Sequence, residues 1–173
     1  MIIALMHDGT QPPLITGRLA REVIASEPKD PYRNGKVTLG AFVTKAPVKA
    51  KVVAVLRGQV PDRGMELIPQ LSRAVRKGDV HEVVMTDRDV APGGQAREVA
   101  YLAFVEFQNG GVLLREDSLS VGGKSVGRLL GFDLSHFPNH MNLVVEGCLR
   151  SGEDLGIRVG DVAEFTAVGP AKR

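Results

Sequence analysis

The sequence predicts a mostly β protein: a β-barrel or a strongly curved mixed sheet carrying one or two helices, with an α+β arrangement as the alternative. Three observations lead there. Glycines and prolines, 20 and 10 of them, are scattered as punctuation between short apolar runs, a pattern of many short strands rather than long helices. Several of those runs alternate apolar and polar residues with a period of two. One run, MELIPQLSRAVRK at 65–77, instead places apolar residues at helical spacing. A length of 173 residues suits one globular domain over 1–173.

MIIALMHDGT reads as a first strand ending at Asp8-Gly9. It is apolar for only six residues and has no basic lead, so it does not read as a signal peptide. ITGRLAREVIAS, 15–26, has two readings. Thr16 would cap a helix with Leu19, Ala20, Val23 and Ile24 as its stripe. As a strand, Leu19, Val23 and Ala25 share a face with Arg21, and the neighbouring strands favour this second reading. GKVTLGAFVTK, 35–45, and KAKVVAVLRG, 49–58, are strands separated by Ala46-Pro47 at hairpin-like spacing.

Residues 65–77 are the expected helix. Pro69 falls in its first turn, Leu67, Leu71, Ala74 and Val75 form the apolar stripe, and Gly78 caps it. VHEVVM, 80–85, is a short strand, and TDRDVAPGG a loop. REVAYLAFVEF, 97–107, is apolar on both faces and therefore central, with Val99, Tyr101, Ala103, Val105 and Phe107 on one side. Asn109-Gly110-Gly111 turns it into VLLRE as a hairpin. SVGRLLGF, MNLVVEGCL and a closing strand 162–168 complete the sheet, with a tight turn at Gly160-Asp161 before the last.

Composition narrows the function classes. Lys and Arg number 22 against 20 acids, without a basic stripe; aromatics make up 5% and Trp is absent. A nucleic-acid surface wants clustered cations and stacking rings, so no nucleic-acid partner is expected. No apolar run approaches the length of a membrane span, so no membrane partner is expected either. The single cysteine, Cys148, rules out an internal disulfide and reads as a small buried hydrophobe in an apolar run. A reducing, cytoplasmic setting is the expectation. Open sheet edges would favour a homo-oligomer.

HFPNHMN, 136–142, holds two of the four histidines. His136 and His140 are four residues apart, which on a helical turn puts both imidazoles on one side, the geometry of two-histidine metal sites. A loop converging the rings is equally open. A third ligand must come from elsewhere: Asp133, Glu146, His81 or Glu82, or His7. Glu146 falls on the same sheet face as His140 by even spacing, and a carboxylate on an apolar strand is costly unless paired or metal-bound. Glu106 on the central strand invites the same remark. The expected catalytic set is His136, His140, Asp133 and Glu146; the expected metal ligands are His136, His140, Glu146 and His81. The cofactor would be a divalent metal: zinc, iron, manganese or nickel. Without metal, the imidazoles would act as general acid and base. Either chemistry suits an enzyme acting on a small polar metabolite. The alternatives are a non-catalytic small-ligand module and an oligomeric structural domain. GGKSVG, 122–127, has a Lys-Ser pair but neither the long glycine loop nor the following helix of a phosphate loop, and reads as a polar turn.

HFPNH followed by an apolar run and an acid resembles the HFP stretch of hot-dog-fold hydroxyacyl dehydratases over barely a dozen residues. In that family a His acts with an acid from a long central helix. Here Met141-Asn142 stands where a Pro-Gly pair would follow, Glu146 comes too early, and only 27 residues (147–173) remain after it. The match is treated as coincidence and no functional residue is carried over from it.

Overall fold

The computed structural model describes residues 31, 36–39 and 44–167. The expected N-terminal strand, the segment 15–26 and His7 lie outside the described residues. The strands are β1 Val48–Val55, β2 Gln59–Val60, β3 Met65–Glu66, β4 Ser72–Val75, β5 Val80–Thr86, β6 Gln95–Ala96, β7 Val99–Phe107, β8 Gly111–Leu114, β9 Ser118–Val121, β10 Lys124–Asp133, β11 Asn142–Glu146 and β12 Val162–Thr166. Seven of them curl into a ring in the order β1-β12-β9-β10-β11-β5-β7, closed by pairing of β1 with β7. The mostly β, strongly curved sheet expected from the sequence is thus the fold. Neighbours in the ring are antiparallel except β11 and β5, which run parallel. Each ring strand has a hydrogen-bonded neighbour on both sides, and β2 extends the sheet from β7.

Alternation sorts side chains to the two faces. Val48, Ala50, Val52, Val83, Met85, Leu119, Leu143, Val145, Ala163 and Phe165 fill the inside of the ring as one core. A second, smaller core lies on the opposite face of β5, β10 and β11, where Val84, Leu130 and Val144 meet Met65, Leu67 and Ala96 of the small β3–β6 pair and its surroundings. That cover explains why β5 and β11 are buried on both faces. A register shift opposite Val83 and Val84 leaves Leu102 unmatched on β7. The bulge reverses which residues face inward: Ala100 and Leu102 up to it, Ala103, Val105 and Phe107 after it. The single continuous face expected for residues 99–107 is therefore broken.

The expected helix over 65–77 is absent; among the described residues there is no α-helix. Pro69 lacks an N–H and disfavours a helical Ile68. The preceding backbone donors instead reach across the fold: Leu67 N to Gly94 O at 2.9 Å and Ile68 N to Phe132 O at 2.9 Å. Ser72–Val75 then pairs with β8, and the supposed stripe splits, with Leu67 and Val75 in different cores and Ala74 exposed. β8 accordingly does not form a hairpin with β7. Asn109 turns the chain away by accepting Lys49 N–H (2.8 Å) and donating to Pro47 O (3.1 Å). Of the strand expected over 35–45, residues 36–39 and 44–45 are described and none is in a strand. Cys148 lies beyond the end of β11 and is exposed, not buried. GGKSVG is the expected turn: Gly122 and Gly123 (φ 57° and 78°) join β9 to β10, a two-residue loop that only residues tolerant of positive φ make cheaply.

Asp117, at the start of β9, is buried and accepts hydrogen bonds from Lys45 Nζ (2.8 Å) and Leu114 N (2.9 Å). Burial raises its pKa above the ordinary carboxylate value, with Lys45 and the Leu114 N–H pulling the other way. A carboxyl whose native pKa exceeds its unfolded one contributes stability that is fully present below the unfolded value and is lost as pH rises through the native one. The melting temperature of the wild type, relative to Asp117→Asn, should fall as pH rises from below the ordinary carboxylate value through the raised native one. A difference that stays level or grows with pH would refute this.

Candidate metal centre

Strand register assembles a polar row on the outer face of the ring. Asp133 of β10 pairs with Asn142 of β11, Asn142 with Glu82 of β5, and Glu82 with Phe104 of β7. Register partners share a face, so these four side chains lie side by side. The loop 134–141 joins Asp133 to Asn142, and Asp133 holds it at both ends. Its Oδ1 accepts from Ser135 N (3.1 Å), Ser135 Oγ (2.5 Å) and Asn142 Nδ2 (2.7 Å), and its Oδ2 from Glu66 N (3.1 Å). Asp133 is therefore a loop anchor whose lone pairs are already engaged.

Within the loop, Asn139 N and His140 N both donate to His136 O, at 3.0 and 3.3 Å. This single turn, which includes the cis Phe137-Pro138 peptide, sets His140 beside His136 with ring centroids 4.8 Å apart and the ring planes tilted by 56°. The convergence expected from their spacing is thus made by a turn, not a helix. His136 Nδ1 lies 3.1 Å from His140 Nε2, and His140 Nε2 lies 3.5 Å from Glu82 Oε2. His140 packs edge-on against Phe104 at 5.1 Å. One ligand atom from each of Glu82, His136 and His140 falls within 4.8 Å of the others. Ligands about 2.0–2.1 Å from a tetrahedral ion lie roughly 3.3 Å from one another, and two of the three separations here, 3.1 and 3.5 Å, are close to that spacing.

The hydrogen-bond roles are short of donors. Arg63 NH2 lies 3.3 Å from His136 Nε2, and a guanidinium only donates. His136 Nε2 is then an acceptor, its proton is on Nδ1, and Nδ1–H points at His140 Nε2. Asn139 Nδ2 lies 2.9 Å from His140 Nδ1; a proton on His140 Nδ1 requires that amide turned so that its oxygen faces the ring. Glu82, 6% exposed, has His140 Nε2 beside it at 3.5 Å, an ion pair when that ring is protonated, and among the described residues no hydrogen bond reaches its carboxylate. Its neighbour Asn142 spends Nδ2 on Asp133 and leaves Oδ1 buried without a donor. A buried carboxylate facing an imidazole lone pair is costly unless a cation lies between them.

The remaining expected site residues sit elsewhere. His81 is next to Glu82 on β5 and so points to the opposite face, into the ring, where Nδ1 accepts Met141 N (3.3 Å) and the ring packs on Phe107. Burial lowers its pKa below the ordinary histidine value, with His140 and Arg73 adding to the effect and Asp79 and the Val80 backbone opposing it. Glu146 is at the far end of β11, about 13 Å from Asn142 at the rise of a strand. There its carboxylate takes Arg128 Nε (3.0 Å) and NH2, in a network with Glu116, Asp89 and Arg115. Even spacing placed Glu146 on the right face but at the wrong end. Glu82, named in the sequence only among possible third ligands, is the carboxylate that lies beside the two imidazoles. Arg63 and Phe104 were not anticipated; nothing in PDRGME marks Arg63, because its approach depends on how β3 covers the sheet. Two clefts of about 340 and 350 Å³ lie apart from the cluster, one bordered by Lys124 and Arg158, the other by Arg88 and Arg97.

A family model matches residues 42–166. The chain belongs to DUF6917, a family of unknown function. The span matched to DUF6917 contains Arg63, Glu82, Phe104, Asp133, His136 and His140, so the whole centre is built from it. No curated protein and no solved structure matches the chain. No helix among the described residues is long and apolar enough to cross a membrane.

Proposed function

We propose that this protein binds a divalent transition metal through Glu82, His136 and His140 and uses it on a small polar metabolite. The observation that carries this reading is the convergence of two imidazole nitrogens and one buried carboxylate oxygen within 4.8 Å. Two histidines and one carboxylate suit zinc, iron, manganese or nickel. Such an ion supplies Lewis acidity and leaves positions for water and substrate. The chain's own contribution is to hold the ligands: Asp133 and Asn142 clamp the loop, Phe104 supports His140, and β5 presents Glu82. His136 and Phe137 are exposed, which leaves the approach from solvent open.

Protein purified without a histidine tag is expected to bind zinc or cobalt at one ion per chain by titration calorimetry, and metal analysis should recover the same ratio. His136→Ala should lower the affinity while leaving the fold intact, because His136 is on the surface. Failure of the wild type to take up zinc, cobalt, iron, manganese or nickel would overturn the reading. Metal-dependent turnover in a metabolite screen separates an enzyme from a non-catalytic binding module.

A further inference from the structure

We propose that an ion held by Glu82, His136 and His140 creates beside itself a seat for a small oxyanion, between the Arg63 guanidinium and His136 Nε2. This rests on the metal reading above. Without an ion, His136 accepts from Arg63 at Nε2 and carries its proton on Nδ1, 3.1 Å from His140 Nε2. An ion lying between the two rings takes the Nδ1 lone pair of His136. The single proton of the neutral imidazole then resides on Nε2. Two donors now face each other at 3.3 Å, the Arg63 NH2 and the His136 Nε2–H, with no acceptor between them.

Metal-ligating imidazoles ordinarily donate their second N–H to a carboxylate, a carbonyl or water. Among the described residues no carboxylate or carbonyl takes that place at His136; the group there is a cation. Arg63 is half-buried and has no carboxylate within ion-pair distance among the described residues, unlike Arg115 and Arg128, which are both paired. An oxyanion satisfies both donors at once, and the planar guanidinium fork matches carboxylate and phosphate alike. The seat is on the side of the imidazole away from the ion. Allowing about 2.1 Å for the metal bond, the width of the ring, and about 2.9 Å for the hydrogen bond, the oxyanion lies roughly 7 Å from the ion. It is a handle, not the reacting group. The substrate is thus a small molecule with an oxyanion at one end and, across a short carbon spacer, a polar group that reaches the metal.

Metal and oxyanion are consequently coupled, and the coupling is reciprocal. The test uses untagged protein, metal-free and loaded with cobalt(II), titrated with acetate, succinate and inorganic phosphate by calorimetry and by the visible cobalt spectrum. At least one of these anions is expected to bind the cobalt form about tenfold or more tightly than the metal-free form, as befits a gained charge-assisted hydrogen-bond pair. The preference between phosphate and carboxylate identifies the handle, and a spectral change with succinate but not acetate marks the second group reaching the ion. Arg63→Gln should leave cobalt affinity undiminished yet lose about tenfold of the anion affinity, and Arg63→Lys should restore part of it. Protein that takes up no cobalt overturns the metal reading and this proposal together. Protein that takes up cobalt but binds none of the anions, or binds them equally in the metal-free form or in Arg63→Gln, overturns this proposal and leaves the metal site standing.

Discussion

Glu82→Gln is expected to abolish tight metal binding and, in the metal-free protein, to raise the melting temperature. The two effects have one cause. In the metal-free state the Glu82 carboxylate is buried beside His140 Nε2 at 3.5 Å with no hydrogen bond among the described residues. A glutamine of the same shape removes that buried charge. The gain should be about 1–2 kcal/mol, the worth of relieving one unsatisfied buried group. Metal affinity should fall by at least about 100-fold, since loss of outer-shell partners alone already costs 10–100-fold and Glu82 is a ligand. His140→Ala provides the contrast. It removes a ligand as well, but it also strips the ring that packs on Phe104 and leaves Glu82 without its neighbour. It should therefore lose metal to a similar degree while losing about 1–3 kcal/mol of metal-free stability. Were Glu82 only the structural counter-ion of a protonated His140, both variants would melt lower. Urea or thermal unfolding of chelator-treated proteins, followed by cobalt titration, tells the two apart. A Glu82→Gln protein that melts below the wild type and binds cobalt normally would defeat the assignment.

Stability and function pull against each other at this row, which bears on what the sequence could reveal. A spacing of four residues is a local property, and it marked His136 and His140 as a pair whichever turn they adopt. The long apolar runs were equally local, so β5, β7, β10, β11 and β12 were legible to within a few residues. The third ligand was not a local property. Glu82 and Glu146 are both acids on apolar strands, and parity alone ranks them alike. What separates them is that β5, some 60 residues earlier in the chain, lies parallel to β11 and sets Glu82 opposite Asn142, while Arg128, in register with Glu146, claims that carboxylate. Parallel pairing across such a separation leaves no mark in the strand sequences themselves. The misread helix has the same origin. Leu67, Leu71, Ala74 and Val75 do fall at helical spacing, but the donors of residues 66–68 are taken by Asp133, Gly94 and Phe132, partners that only the closed ring brings within reach.

The ring closes where β1 meets β7, and Gly152→Ala is expected to open it. Gly152 is not in a left-handed conformation; its need for glycine is one of space alone. A Cβ there would stand 2.0 Å from Leu102 O and 3.2 Å from Leu56 O. Both atoms are backbone, so no rotamer change relieves the clash. The same glycine donates its N–H to Tyr101 O at 3.0 Å, Glu153 N donates to Leu56 O at 3.1 Å, and Leu56 N to Leu102 O at 2.9 Å. Residues 152–153 therefore rivet the seam just where Leu102 bulges and the inward face of β7 reverses. A methyl group must push this segment off the seam and break those bonds, at a cost of about 3 kcal/mol or more, the upper part of the range for overpacking. The melting temperature should drop by on the order of 10 °C. Gly156→Ala isolates the backbone contribution: its φ is +70° and a Cβ would meet nothing within 4 Å, so only the left-handed penalty of about 1–2 kcal/mol applies. If the seam holds the ring, Gly152→Ala will be clearly the more damaging of the two by thermal unfolding. Equal losses would mean that the segment yields freely and that closure of the ring rests on the β1–β7 ladder alone.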